Sequence, residues 1–314
     1  MISMVIPLWN EEDVVDPLMA RLWSLNSKLE SDIELVLVND GSMDNTHEKL
    51  LASLNKFPRW KLIKLSRNFG QQAAYRAGLD AATGDAVIFL DADLQDPPEI
   101  IPDMIRQWRE GAKLVTACRK SRAESPGRKL FFGLFHELFH RITGGVMPKN
   151  SGTFALMDRA IVDHLKKMPE LSVFFPALRS WVGYRQAQVW YDRSDRQEGK
   201  PKQTFMRLLN YAWDGVTSFS EVPLKMIGLL GFIIAIPCLI YAAALIVIFF
   251  LQKLGFLLQL QVLGFTTLAV AVFGLGGIQL ICLGVIGEYL GRVYREVKGR
   301  PPYIVEQVLE SPPR

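Results

Sequence analysis

Two long apolar runs near the C-terminus constrain this chain more than any other feature. Residues 226–251 and 262–286 contain no charged side chain. Each run exceeds the roughly 20 residues that a membrane-spanning helix needs. One such run could be a buried core helix, but two in succession favour a pair of transmembrane helices, which we predict over residues 224–290.

The basic residues around these runs predict their orientation. The second run is followed by Arg292, Arg295, Lys298 and Arg300. The connecting loop carries only Lys253. Because basic flanks stay in the cytoplasm, we expect both termini there. The apolar stretch 2–8 is too short for a signal peptide, and the modest net charge of +4 indicates attraction to anionic lipid rather than to nucleic acid.

Upstream of the runs, short apolar segments alternate with amphipathic ones. Apolar, β-rich segments occupy residues 2–6, 33–38, 61–65, 86–90 and 113–117. Amphipathic stretches cover residues 11–30, 43–55, 70–82 and 98–110. This alternation is typical of a mostly parallel sheet covered on both faces. We therefore predict an α/β nucleotide-binding domain over residues 1–203.

An acidic pair, Asp91 and Asp93, directly follows the fourth apolar segment. In an extended backbone, residues two apart point the same way, so both carboxylates can converge on one Mg²⁺ or Mn²⁺. The carboxyl edge of an open α/β sheet is where ligands bind, and Mg²⁺ held by one or two carboxylates keeps positions for substrate phosphates. A plain surface turn is the alternative, since Asp and Pro are common in turns.

Residues 119–150 pass from basic to aromatic character. The basic cluster is Arg119, Lys120, Arg122, Arg128 and Lys129, and the stripe after it is Phe131, Phe135, Leu138, Phe139 and Ile142. Such a pattern suits a helix in the lipid headgroup region, and a helix packed on its own domain is the alternative.

We predict a juxtamembrane amphipathic helix over residues 204–223 and a cytoplasmic basic tail over residues 291–314.

Five motifs in a fixed order add a family resemblance. They are Val-Ile-Pro-Leu-Trp-Asn-Glu-Glu (5–12), Val-Asn-Asp-Gly-Ser-Met-Asp-Asn-Thr (38–46), Leu-Ser-Arg-Asn-Phe-Gly (65–70), Leu-Asp-Ala-Asp-Leu-Gln-Asp-Pro-Pro (90–98) and Leu-Met-Asp-Arg (156–159). With the double-span C-terminus, the chain resembles the family 2 glycosyltransferases of GT-A fold, specifically the polyprenyl-phosphate glycosyltransferases. The tail at 287–303 looks most like the bacterial bactoprenol glucosyltransferases, which act in O-antigen (lipopolysaccharide) modification.

The resemblance implies an inverting enzyme that moves a sugar from a UDP-sugar to polyprenyl (undecaprenyl) phosphate at the cytoplasmic face of the bacterial inner membrane. Glucose is the first expectation, and mannose or an aminoarabinose derivative are alternatives. The resemblance also implies Mg²⁺ or Mn²⁺ as cofactor, membrane lipids as partners and a homo-oligomer such as a tetramer. A processive polysaccharide synthase is disfavoured, because the Gln-x-x-Arg-Trp motif is absent and the spans are few.

The resemblance also assigns roles to individual positions. The nucleotide-sugar positions are Pro7, Trp9, Glu11, Asp40, Arg67, Asn68, Asp91, Arg196 and Lys202. The metal positions are Asp91, Asp93 and Gln95, and the acceptor-phosphate positions are Arg119, Arg128 and Lys129. A turn hydrogen bond is the alternative for Gln95, and a solvated surface charge is the alternative for each cation. Asp91, Asp93, Arg119 and Thr153 are the expected catalytic positions.

Two positions depart from the family pattern. Asn39 stands where Asp is more usual, which leaves the base preference open. Thr153 replaces an acid that is often proposed as the catalytic base. A phosphate acceptor is already ionised and needs no base, so we expect activity to survive, with Thr153 hydrogen-bonding substrate. Asp158 is the nearest other acid, with a helix cap as its alternative role, and a non-catalytic nucleotide-sugar-binding protein is the competing hypothesis.

Overall fold

A computed structural model of the chain describes residues 1–29, 31–120, 151–168, 170, 174–192, 222–254 and 264–312. The chain divides into two compact units. The first comprises Met1–Tyr211 with Arg300–Arg314, and the second comprises Ala212–Gly299.

The first unit is an α/β domain built on one sheet. Its strands are β1 (Ile2–Leu8), β2 (Ile33–Asn39), β3 (Trp60–Leu65), β4 (Ala86–Phe89), β5 (Leu114–Arg119), β6 (Ser151–Asp158), β7 (Gln186–Tyr191) and β8 (Val305–Glu310). Its helices are α1 (Glu12–Asn26), α2 (Thr46–Leu54), α3 (Gln71–Ala81), α4 (Ile101–Arg109), α5 (Arg159–Lys167) and α6 (Phe175–Trp181). The five predicted strands and four predicted helices are confirmed, with ends shifted by a few residues.

The strand order is β7-β5-β6-β4-β1-β2-β3-β8. Strands β1 to β4 are mutually parallel, whereas β6 and β8 run antiparallel to their neighbours. The chain proceeds from β1 through β2 to β3 and then returns to place β4 on the other side of β1. In open α/β sheets a crevice for ligands forms at such a reversal, outside the carboxyl ends of the strands.

Apolar side chains cover both faces of the central strands and hold their ends in register. Alternate residues of β1, such as Met4 and Ile6, belong to a core cluster with Leu18 and Leu22 of α1. On the opposite face, α3 approaches so closely that a Cβ at Gly78 would lie 2.2 Å from Val5 Cγ1. Strands β1, β2 and β4 are buried along their whole length, and their sequences are mostly apolar, with Ser3, Glu34 and Asn39 as the polar exceptions.

Several elements of this unit had no counterpart in the sequence analysis. They are β6, β7, β8, α5 and α6. The predicted tail at 291–314 divides, because its first residues continue a helix and Val305–Glu310 pair with β3. The hydroxyl of Tyr303 also donates to Asp80 Oδ2 at 2.8 Å. Residues 300–314 are therefore part of the α/β unit.

The second unit contains two long helices, α7 (Val222–Lys253) and α8 (Gly264–Val297). In the portion of this unit that the structure describes, one segment, Gly274–Val297, has the length and composition to cross a membrane. Leu224–Pro237 is a shorter apolar helical segment. The described residues thus contain one candidate span, and the predicted pair is not confirmed. The aromatic stripe at 131–142 and nearly all of the predicted juxtamembrane helix lie outside the described residues.

Candidate active site

The carboxyl ends of β1, β2 and β4 lie side by side. The backbone N–H of Leu90 donates to the Val5 carbonyl at 3.1 Å, and that of Asp40 donates to the Leu8 carbonyl at 2.9 Å. Backbone hydrogen bonding between these strands therefore extends to their carboxyl ends, where the predicted site residues follow. This edge brings together Pro7, Trp9, Glu11, Asp40, Asp91, Asp93 and Gln95.

The loop after β1 is held by the loop after β2. The backbone N–H of Asn10 donates to Ser42 Oγ at 3.0 Å, and the Met43 N–H donates back to Asn10 Oδ1 at 2.9 Å. The Glu11 N–H donates to Thr46 Oγ1 at 2.9 Å. Asn10 has a φ of +50°, an unusual value for a residue with a side chain. This constrained loop leaves 44% of Trp9 exposed, as a ring that stacks on a ligand requires.

Asp40 lies buried behind this edge and organises the loop that precedes α3. Its Oδ1 accepts the Phe69 N–H at 2.8 Å. Its Oδ2 accepts the Gly70 N–H at 2.9 Å and the Asn68 side-chain amide at 3.0 Å. Burial raises the pKa of Asp40, opposed by these backbone hydrogen bonds and by the charge of Arg67. Three of its roughly four acceptor positions are used, which leaves room for one ligand donor.

Close approach of two loops explains the glycine after Asp40. Gly41 has a φ of +64°, and a Cβ there would lie 2.3 Å from the backbone carbonyl carbon of Arg67. The Arg67 guanidinium lies 4.1 Å from the centre of the Phe69 ring, and its Nη1 donates to the Asn68 carbonyl at 3.0 Å. Arg67 is exposed, so its charge faces solvent beside the crevice.

The acidic pair lies in a turn rather than in an extended strand. Strand β4 ends at Phe89, and the backbone turns at Ala92 and Asp93, so the extended geometry assumed for the pair is wrong. Leu94 has a φ of +57°, a strained value for a bulky residue. The Asp93 Oδ1 accepts the Gln95 N–H at 3.2 Å, so the backbone of Gln95 makes a turn hydrogen bond.

Asp91 is crowded by other acids. Its Oδ1 accepts hydrogen bonds from Gln71 Nε2 and from the Tyr75 hydroxyl, each at 2.6 Å. Burial, reinforced by the carboxylates of Asp96 and Asp93, raises the pKa of Asp91 to about 6, although the Tyr75 hydrogen bond opposes this rise. The turn therefore brings three carboxylates close together, and the surrounding protein only partly compensates their negative charge.

A third acid, Asp96, was missed by the sequence analysis. Asp96 is 1% exposed, and its Oδ1 accepts the Tyr191 hydroxyl at 2.5 Å and Arg119 Nη2 at 3.4 Å. Arg119 Nε also donates to the Tyr191 hydroxyl at 3.1 Å. Arg119, predicted to contact the acceptor phosphate, is thus held at the end of β5 by Asp96 and Tyr191. The signal available in the sequence was the third acid within the motif at 90–98.

Thr153 lies on β6 next to Arg179, a buried arginine. Arg179 of α6 is 1% exposed and donates to the carbonyls of Gly152 and Thr153, each at 2.6 Å. On the other side, a Cβ at Gly152 would lie 3.4 Å from Arg119 Nη2. Arg179 is another residue that the sequence did not single out, because its partners are backbone atoms of a distant segment.

Asp158 lies at the opposite end of β6. It pairs with Ala86, the first residue of β4, and its Oδ1 accepts the Ala160 N–H at 3.0 Å. Its Oδ2 accepts hydrogen bonds from Trp108 Nε1 at 2.7 Å and Lys113 Nζ at 3.0 Å. Asp158 is therefore a helix cap at the far edge of the sheet, and this position excludes it as an acid of the site.

Comparison with known proteins identifies the family of this chain. The model of Glycosyl transferase family 2 matches residues 3–166, a range that contains β1 through β6 and the acidic turn. The chain belongs to glycosyl transferase family 2. The fold agrees: a glucosyl-3-phosphoglycerate synthase from Mycobacterium tuberculosis, solved with Mn²⁺, UDP and phosphoglyceric acid, superposes with a TM-score of 0.50 at 20% identity, over 69% of this chain and 76% of that one.

Relatives of this family 2 glycosyltransferase match along almost the whole chain. An uncharacterized glycosyltransferase from Synechocystis sp. is 46% identical over 98% of this chain and 95% of its own length. A prophage bactoprenol glucosyl transferase homolog from Escherichia coli is 38% identical over 98% of this chain and 99% of its own length. The SfII prophage-derived bactoprenol glucosyl transferase of Shigella flexneri is 38% identical over 98% of this chain and 97% of its own length. The predicted resemblance is therefore confirmed.

Four predicted residues of this family 2 glycosyltransferase lie outside the described residues. They are Arg128, Lys129, Arg196 and Lys202. Within the residues that the structure does describe, no three His, Cys, Asp or Glu side chains converge to form a complete metal cage. A metal at Asp91 and Asp93 would thus need further ligands from a substrate, which is the usual situation for Mg²⁺ beside phosphates.

Proposed function

We propose that this protein is an inverting glycosyltransferase that moves glucose from UDP-glucose to a polyprenyl phosphate such as undecaprenyl phosphate. The observation that carries the proposal is the crowded acidic turn, Asp91 to Asp96, at the carboxyl edge where β1, β2 and β4 meet. The bactoprenol glucosyl transferases that match over nearly their whole length support the choice of glucose and of a polyprenyl acceptor.

The donor would bind across the crevice. Trp9, exposed at the end of β1, is suited to stack on the uracil ring. Asp40 has one acceptor position left for the N3–H of the base, with Pro7 and Glu11 beside it. Arg67 and Asn68 border the same crevice and can meet the diphosphate, and Arg196 and Lys202 are proposed to add further positive charge there.

The residues present fit a divalent cation. Asp91 and Asp93 offer hard carboxylate oxygens, the ligand type that Mg²⁺ and Mn²⁺ prefer, and Gln95 can add an amide oxygen. Burial, together with the charges of Asp96 and Asp93, raises the pKa of Asp91, and a bound cation would offset both effects. When bound, Mg²⁺ or Mn²⁺ would neutralise the charge that develops on the departing diphosphate.

The acceptor explains how Thr153 can replace an acid. A phosphate monoester has a second pKa of about 6, so it is largely dianionic at neutral pH and attacks without a general base. Its oxygen would approach the anomeric carbon opposite the leaving diphosphate, which inverts the configuration. Arg119, Arg128 and Lys129 are proposed to reduce repulsion between the two anions, and the Thr153 hydroxyl is proposed to hydrogen-bond substrate.

A lipid acceptor requires the α/β unit to work at a membrane surface. We propose that residues 224–290 form two transmembrane helices with both termini in the cytoplasm of a bacterial cell, and that residues 204–223 lie along the bilayer. The apolar composition of α7 and α8 supports this arrangement, as do the basic residues after the second run. A homo-oligomer, such as a tetramer, is part of the same proposal.

The proposal is tested by turnover with purified full-length protein in detergent. UDP-[¹⁴C]glucose, Mn²⁺ and undecaprenyl phosphate should yield UDP and a radiolabelled lipid, and omission of the lipid or addition of excess EDTA should abolish both products. UDP-galactose, UDP-N-acetylglucosamine and GDP-mannose serve as competing donors.

Each outcome has a distinct meaning. Labelled lipid from another donor would overturn the choice of glucose and leave the reaction class intact. Binding of UDP-glucose without turnover would favour the non-catalytic alternative, and full turnover in EDTA would refute the role of the metal.

A further inference from the structure

The acid at the centre of the site has one oxygen held by two side chains of the same helix. Gln71 Nε2 and the Tyr75 hydroxyl both donate to Asp91 Oδ1 at 2.6 Å. Positions 71 and 75 are one helical turn apart, so both side chains project from one face of α3. In the part of the chain that the structure describes, no hydrogen bond reaches Asp91 Oδ2.

Packing fixes the Tyr75 hydroxyl in place. Tyr75 is fully buried, and its ring stacks on Phe89 of β4 with a centroid distance of 4.4 Å. Phe175 of α6 packs edge-on against Phe89 at 5.0 Å and against Tyr75 at 6.5 Å. The two phenylalanine rings pack around the tyrosine ring, and a buried hydroxyl needs a polar partner, which Asp91 supplies. Its hydroxyl is therefore aimed at Asp91 by the core itself.

We infer that Gln71 and Tyr75 are positioning residues that orient Asp91 for cation binding. By saturating Oδ1 they distinguish the two carboxylate oxygens and turn Oδ2 toward the crevice, where a divalent ion and the donor diphosphate would meet. Groups that orient metal ligands in this way typically contribute 10- to 100-fold in metal affinity or activity. The inference rests on the proposed function, since it needs Asp91 to be a metal ligand.

The test measures Mn²⁺ binding directly, by the loss of the free Mn²⁺ EPR signal in the presence of UDP, with full-length protein. Tyr75→Phe and Gln71→Ala should each weaken Mn²⁺ binding by about 10-fold. In turnover assays they should raise the Mn²⁺ concentration needed for half-maximal rate and leave the KM for polyprenyl phosphate unchanged. A purely structural defect would not separate these constants.

Tyr303→Phe is the matched control. This substitution also removes a tyrosine hydroxyl that donates to an aspartate, because Tyr303 hydrogen-bonds Asp80 of α3, the helix that carries Gln71 and Tyr75. The Tyr303→Phe variant should bind Mn²⁺ as the wild type does. Gln71 is exposed, so Gln71→Ala remains informative if Tyr75→Phe fails to fold. Wild-type Mn²⁺ affinity in both variants would overturn the inference alone. No UDP-dependent Mn²⁺ binding by the wild type would overturn the proposed function and the inference together.

Discussion

Two partly or fully buried carboxylates at opposite edges of the same sheet have opposite electrostatic environments. Glu34, near the start of β2, accepts hydrogen bonds from the Ser3 hydroxyl, from Thr83 N–H at 2.9 Å and Thr83 Oγ1 at 2.7 Å, and pairs with Lys61 Nζ at 3.1 Å. Burial raises its pKa, but these partners outweigh burial and lower it overall. At Asp91, burial and two neighbouring carboxylates win, and the pKa rises to about 6.

The opposite pKa shifts of Glu34 and Asp91 indicate that Glu34 contributes to stability and Asp91 to function. Every contact of Glu34 stabilises its charge in the folded state, so this edge of the sheet contributes to folding. At Asp91, the cost of burial and of repulsion from two carboxylates is only partly compensated, which is a cost that folded proteins tolerate mainly where a ligand later relieves it. The two edges therefore predict different responses to neutralising one carboxylate.

The largest expected effect is on activity, at the acidic turn. Asp91→Asn or Asp93→Asn should lower kcat by about 10³-fold, because the carboxylate that would hold the cation loses its charge. The melting temperature should stay within a few degrees of the wild type or rise, since repulsion with Asp96 is also reduced. Radiolabelled-lipid assays and thermal unfolding in detergent measure the two quantities. Wild-type kcat in either variant would remove the metal assignment.

Neutralising the other carboxylate should reverse this pattern. Glu34→Gln leaves Lys61 without its ion pair and disturbs the hydrogen bonds of Ser3 and Thr83, so the free energy of unfolding should fall by about 2 kcal/mol. The kcat and the KM values should not change, because Glu34 lies at the edge away from the crevice. Chemical denaturation of the detergent-solubilised protein measures the loss. A large fall in kcat without loss of stability would contradict the comparison.

The pH dependence of stability sharpens the same contrast. Because the folded-state pKa of Glu34 is lowered from its ordinary value of 4.5, its contribution is fully present above that pH and is lost as the pH falls through the folded pKa. The stability difference between wild type and Glu34→Gln should therefore shrink as the pH drops below about 4.5. A constant difference between pH 7 and pH 3 would argue against the assigned cause.

The smallest expected effect comes from a single partner of Glu34. Thr83→Ala removes the hydroxyl that donates at 2.7 Å and keeps the backbone N–H that donates at 2.9 Å. The free energy of unfolding should fall by about 1 kcal/mol, since one of several hydrogen bonds is lost. A loss equal to that of Glu34→Gln would show that the network acts as one unit rather than as separate bonds.

The sequence predicted the first half of the domain because local signals there agree with the tertiary fold. Strands β1 to β5 are short apolar runs, and the helices between them are amphipathic, so periodicity was sufficient. Strands β6 to β8 were missed because they have no such regular alternation with helices. Strand β8 in particular follows the apolar helices and joins β3 only through long-range pairing.

The motif at 90–98 and the apolar runs were readable from the sequence alone, because they are local patterns with a direct chemical meaning. Only the tertiary structure showed that Asp40 accepts hydrogen bonds from the loop before α3 and that Asp96 pairs with Arg119. It also showed that Gln71 and Tyr75 donate hydrogen bonds to Asp91. These pairings join residues from different elements, and their geometry depends on how helices pack on the sheet. Residue type and spacing therefore identified which groups do chemistry, whereas packing determined which atoms of those groups are left to do it.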